Sequence, residues 1–189
     1  MTRIALVAGA LPGVLSRIEE TTNGLSLGIS ANSTWLAVAF GAGMAHRPAP
    51  GWHAARAGAL ALTAANLAYY AWIAMLEPGV PLAAVAGSPL RWLLLGASGG
   101  LVFAVAGRLW SRSRGRARVL ASLPVAGVSI GDGIPALLGG ALTDGVGLVL
   151  GAVLPVMSGT CARDRWLGGA LAVGVVAIAL TGRLEALLP

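Results

Sequence analysis

The chain has 189 residues, 57% of them hydrophobic and 11% charged, with a formal net charge of +6. Soluble domains carry about 25% charged residues, so this few charges cannot cover this much apolar surface, and a water-soluble globular domain is excluded. All thirteen basic residues are arginine, and their position between apolar runs suits the loops of a membrane protein better than a nucleic-acid-binding face.

A membrane-crossing helix needs about 20 residues, fewer where the bilayer thins or polar ends are buried in protein. The opening "MTRIALVAGALPGVLSR" has the charge and apolar run of a signal peptide. No small-x-small cleavage site follows and the chain beyond is itself membrane-spanning, so it reads as the first helix, over 4–22. A second, shorter helix over 30–45 opens with Asn32 and Trp35, and the clearest span, "AGALALTAANLAYYAWIAML", covers 57–76. Four more follow over 90–110, 119–141, 145–162 and 166–182. The expected fold is all-α: one polytopic bundle of about seven transmembrane helices over residues 1–189, in the cell membrane. Five or six spans remain if a short segment is re-entrant.

Charge sets the expected orientation. With the N-terminus inside, Arg3, Arg47, Arg56, Arg108, Arg112, Arg114, Arg116, Arg118, Arg163 and Arg165 fall on the inner side. Only Arg17, Arg91 and Arg183 fall outside. This bias predicts N-in, C-out topology. The basic stretch "GRLWSRSRGRAR" then reads as an inner loop resting on anionic headgroups, with a lipid-phosphate or nucleotide site as its sharper alternative. The interfacial aromatic belt accounts for Trp110 and Trp166, and "GASGG" at 96–100 lets helix backbones approach closely.

Five of the seven carboxylates, Glu19, Glu20, Glu77, Asp144 and Glu185, fall outside in this scheme, and Asp164 falls inside. Asp132, in "SIGDGIPALLGG", is the exception. Thirteen residues beyond Val119, it lies about 20 Å into a core of about 30 Å. A carboxylate at such depth costs a few kcal/mol and is expected to face a cavity or a partner. Gly131, Gly133 and Pro135 predict a helix break there, because proline cannot donate to the turn before it. Asn66, Tyr70, Ile73 and Glu77 share one helical face by spacing, flanked by Tyr69 and Trp72. With Asn32, Trp35 and Trp92 they are the candidate substrate-binding residues of an outward cavity, whose candidate catalytic acids are Asp132 and Glu77.

The motifs that are absent narrow the chemistry. No DDxxD, NDxxD or DxDD acid motif, no HExxH, no GxSxG and no Walker loop occurs. The lone Cys161 excludes an intramolecular disulfide and a cysteine-based metal site. His46 and His53 share an inner loop as two solvated histidines. No cofactor, metal or nucleic-acid partner is expected.

The segments "ANSTWLAVAFGAG", "AYYAW" and "RWLLLGASGGLVFAVAGRLW" resemble an actinobacterial family of small multi-pass membrane proteins without an assigned function. The size, helix count and acid-plus-aromatic interior also resemble the membrane-embedded terpene cyclases of drimentine, indole-sesquiterpenoid and meroterpenoid pathways. That resemblance implies protonation of a prenyl alkene or epoxide by a buried carboxylic acid, without diphosphate ionisation. Such an acid must be neutral at rest, as apolar sites keep carboxyls, and aromatic faces would stabilise the cation. A lipid-borne isoprenoid substrate would enter from the bilayer. Two other classes fit the same residues: a small proton-coupled transporter, built on a broken helix with an acid at the break, and a structural membrane subunit. Reporter fusions within the 108–118 loop are expected to report the cytoplasm, and fusions within 77–89 the outside. The reverse result would overturn the orientation.

Overall fold

The structure, a computed structural model, describes residues 2–21, 32–46, 50–76, 82–138 and 145–187. They form seven helices: α1 (Thr2–Thr21), α2 (Asn32–Ala45), α3 (Gly51–Leu76), α4 (Leu82–Arg112), α5 (Gly115–Leu138), α6 (Gly145–Ser158) and α7 (Ala162–Leu187). No strand occurs among the described residues. The all-helical class and the count of seven are as expected. Gly51–Leu76, Pro89–Arg112 and Gly115–Ile134 are long and apolar enough to cross a membrane, and Thr34–Ala45 is a shorter apolar helix.

Two expectations about the backbone fail. The stretch 108–118 is not a loop, because α4 runs on to Arg112 and α5 starts at Gly115. Only Ser113 and Arg114 separate them. Arginine is a good helix former, and its long stem lets a helix end stay in apolar surroundings while the charge reaches water. Gly115 makes the turn possible, with a φ of +57° that only glycine adopts cheaply. The second failure is at Gly131–Pro135, where α5 continues without a break to Leu138. Helix-weakening residues are tolerated where neighbouring groups re-satisfy the backbone.

Contacts divide the chain into two compact units, Met1–Arg108 and Leu109–Pro189. In the first unit, α3 is the central element and works through two faces. One carries Ala57, Ala61 and Ala65, all buried. Against it lies α1, whose Gly9 and Gly13 leave no room for a Cβ: one built on either would fall on the carbonyl of Ala61 or Ala65. Both pairings advance in the same direction, so α1 and α3 run parallel. The other face carries Ala54 and Gly58, and a Cβ at Gly58 would strike the Gly100 carbonyl of α4. Asn66 of α3 meets Gly96 of α4, so these two helices run antiparallel. Helix α2 lies parallel to α4, with Leu36 against Gly99 and Gly43 against Ala104.

The second unit uses the same device more sparingly. Gly151 of α6 seats against the Ala126 carbonyl and the Ser129 and Ile130 side chains of α5. Gly133 of α5 meets Leu148 of α6, and Gly168 of α7 meets Pro155 of α6. Each sequential pair here is antiparallel. Ser122 and Ser158 are buried, and each hydroxyl donates back to a carbonyl of its own helix, Val119 at 2.6 Å and Leu154 at 2.7 Å.

Two glycine-to-alanine changes test this packing. Gly58→Ala places a methyl group on backbone that cannot swing aside, and overpacking of this kind costs about 1–3 kcal/mol. Its melting temperature in detergent is expected to fall. Gly127→Ala adds a methyl that meets nothing within 4 Å, and is expected to hold or raise stability through helix propensity. Equal behaviour of the two would show that close approach is not what holds the helices.

Candidate functional site

The residues expected to line a cavity fall into three groups. Trp35, Tyr69 and Tyr70 do come together. The Trp35 and Tyr69 rings meet edge-on at 6.1 Å, and Tyr69 and Tyr70 likewise at 5.2 Å. Two residues from α1, missed in the sequence, complete the cluster. Ser16, fully buried, accepts a hydrogen bond from the Trp35 indole at 2.8 Å. The Arg17 guanidinium lies 5.9 Å from the centre of the Tyr69 ring, within cation–π range. The parallel α1–α3 packing carries Ser16 and Arg17 to this end of α3. The sequence holds one signal for them, a polar "SR" closing an apolar run, and that reads equally well as a helix end.

The cluster is thus a set of satisfied groups. Tyr69 already faces a cation, so its ring is not an open platform for a carbocation. Asn66 has the same character, since its amide donates to the Leu62 carbonyl at 2.9 Å and packs on Gly96. It is buried among helices, and Ile73 on the same face is buried as well. Trp72 is half-buried and Trp92 is 43% exposed on α4. Asn32 opens α2, and Glu77 lies outside the described residues.

Asp132 belongs to the second unit. It is half-buried on α5. Because that helix begins at Gly115, four residues before the expected span, Asp132 lies seventeen residues along it, about 26 Å. It sits six residues before the end of α5 at Leu138. On its packed flank are the buried Ser129, Ile130 and Gly133. On another side Gly127 and Gly131 have open space beside them. The nearest arginine on α5 is Arg118, fourteen residues back.

A second polar centre, not singled out from sequence, gathers where α5 and α7 begin. Asp164 stands in the first turn of α7 and is 6% exposed. Thr160 donates to its Oδ2 at 3.2 Å, and Arg116 Nε approaches Oδ1 at 3.9 Å. A Cβ on Gly115 would lie 3.1 Å from Oδ2, so glycine here serves both the turn and the carboxylate. Hydrogen bonding to Cys161 is the largest influence on Asp164. With Thr160 and Arg116 it outweighs desolvation and holds the carboxyl below its ordinary range. Nearby, Trp110 is not only an interfacial ring, since its indole donates to Ser158 at 2.7 Å. Among the described residues no three of His, Cys, Asp or Glu gather to hold a metal ion.

Apolar helices of membrane-crossing length, locked by small residues and carrying few acids, define an all-helical membrane protein. A family model matches residues 2–188, and the chain belongs to that family, DUF6518, a family of unknown function. No curated protein and no solved structure matches the chain.

The Asp164 centre makes a pH prediction. Its folded-state pKa is depressed, so the stability it contributes is present above the unfolded value, about 3.9. That contribution is lost as pH falls through the lowered folded value. Thermal unfolding in detergent is expected to show an extra loss of stability below about pH 4 in the wild type. Asp164→Asn should lack this extra loss. Parallel acid profiles in the two proteins would remove the assignment.

Proposed function

We propose that the protein is a multi-pass membrane enzyme that acts on an isoprenoid substrate, with Asp132 as the proton donor of a protonation-initiated cyclisation. The observation that carries this reading is Asp132 itself: a half-buried carboxyl on a helix apolar enough to cross a membrane, with no arginine near it on that helix. The parallel and antiparallel alternation of helices within each unit supports a chain that crosses the membrane repeatedly. The architectural resemblance to membrane-embedded terpene cyclases supports the substrate class.

The chemistry needs little else from the protein. The Asp132 proton is transferred to a terminal alkene carbon of the prenyl chain, and the alkene π electrons form the new C–H bond. The carbocation left on the neighbouring carbon is captured by the next alkene, which closes a ring. Loss of a proton from the final cation forms a new alkene, so substrate and product are isomers and no oxidant or cofactor is consumed. Tyr69 is not assigned to the cation, because Arg17 already occupies its neighbourhood.

The continuity of α5 weighs against the transport reading, which rests on a broken helix whose exposed backbone binds the coupled ion. A structural role for Asp132 remains the competing reading, and substitution separates the two. General acid catalysis contributes roughly 10²–10⁴ in rate. Asp132→Asn is therefore expected to insert and fold, yet cyclise a prenylated acceptor at least about a hundredfold more slowly. Asp132→Glu should retain part of the activity, and turnover in deuterium oxide should place one deuterium on the protonated carbon. If Asn is tolerated and only Asp132→Leu lowers stability, the acid is a structural polar contact. The cyclase assignment then falls.

A further inference from the structure

The six arginines around the two-residue α4–α5 turn and the start of α7 have too few carboxylate partners. Arg112, Arg114, Arg116 and Arg118 lie on the first side, and Arg163 and Arg165 flank Asp164 on the second. The Arg116–Asp164 contact brings the two stretches together. Asp164 is the one acid in either stretch, and it is already engaged by Thr160, Cys161 and Arg116. All of these arginines except Arg118 are exposed.

Arg118 differs from the rest. Its guanidinium carbon lies 3.8 Å from the centre of the Trp110 ring. That ring is fixed in turn by its bond to Ser158, whose hydroxyl is tied to the Leu154 carbonyl. The cation is therefore held on a rigid shelf. Its Nε is buried and has no hydrogen-bond partner among the described residues, and a buried donor left unpaired is unfavourable. The shelf sits where two candidate spans end, after Arg112 and before Gly115. Exposed Leu109, Leu120 and Trp166 stand among the arginines, and apolar and cationic side chains mixed in this way suit the boundary between acyl chains and headgroups.

We propose that this surface binds the headgroup phosphate of an anionic phospholipid, with Arg118 on its Trp110 shelf as the central contact and Arg114 beside it. A planar guanidinium held in one orientation offers paired donors to phosphate oxygens. The exposed arginines supply the surrounding positive field. The lipid is favoured over a free anion because its chains would cover the exposed leucines and Trp166 while its phosphate meets the arginines.

The test compares melting temperatures of the full chain in nanodiscs of phosphatidylcholine alone and of phosphatidylcholine mixed with phosphatidylglycerol. A ligand that binds only the folded state raises the melting temperature, here by about 2–4 °C for a modest affinity in a chain of this size. Arg118→Lys keeps the charge but loses the planar stack, and is expected to abolish the difference between lipids. Arg114→Gln should reduce it, and Arg91→Gln, an exposed arginine elsewhere on α4, should retain it. Equal melting in both lipids would overturn the proposal. So would an Arg118→Lys variant with the full gain, which indicates diffuse charge alone. An equal gain from inorganic phosphate in phosphatidylcholine discs would assign a free anion instead. Should Arg118→Lys fail to fold, Arg114→Gln decides: an undiminished gain there also overturns the site.

Discussion

Backbone-to-backbone contact between helices is the constraint on which the described structure rests. In a bilayer, apolar side chains gain little by leaving lipid for protein, so association depends on dispersion contacts made at close range. Gly9, Gly13, Gly43, Gly58 and Gly100 provide that range by leaving no room for even a Cβ. The buried set follows from this. It is rich in alanine, with Ala39, Ala54, Ala57, Ala61, Ala65, Ala104 and Ala126 all enclosed, while large apolar residues such as Leu67, Met75, Leu94, Trp166 and Ile178 point outward. That distribution would be perverse in water and is sensible in lipid.

Tight packing of small residues also decides the fate of the polar ones. A buried amide or hydroxyl must find a partner, and close helices offer mainly their own backbone. Asn66, Ser122 and Ser158 each bond a carbonyl one turn back, and Trp35 finds Ser16. Polar residues that invite a catalytic reading in sequence are thereby largely committed to holding helices. Asp132 differs in its place on α5, where Gly127 and Gly131 have open space beside them.

The charged end of the second unit follows a different logic. One carboxylate, Asp164, serves the starts of two helices at once, where the amide dipoles favour a negative charge. Gly115 gives it space. Of the arginines around it Arg116 reaches that acid, while Arg118 is held by stacking on Trp110, and the surface is strongly cationic. Stability and membrane recognition thus draw on the same short turn.

The amino-acid sequence by itself determined the class and the element count. Apolar runs separated by arginine, with so few other charges, permit only helices in lipid, since each must satisfy its own backbone there. It also pointed to the pairing of Trp35 with the tyrosines on neighbouring helices. Boundaries were another matter: arginine fits equally in a loop or at a helix end, so the extension of α4 and α5 into 108–118 depended on the turn at Gly115 and on Asp164, fifty residues away. The persistence of α5 through Pro135 was also hidden, because glycine and proline show only local weakness in sequence. Side-chain commitment was the least legible. Whether Asn66 faces a cavity or its own helix turns on Gly96 of another helix, and whether Tyr69 is free to meet a cation turns on Arg17. Those are pairings across distant segments, and tertiary structure alone decides them.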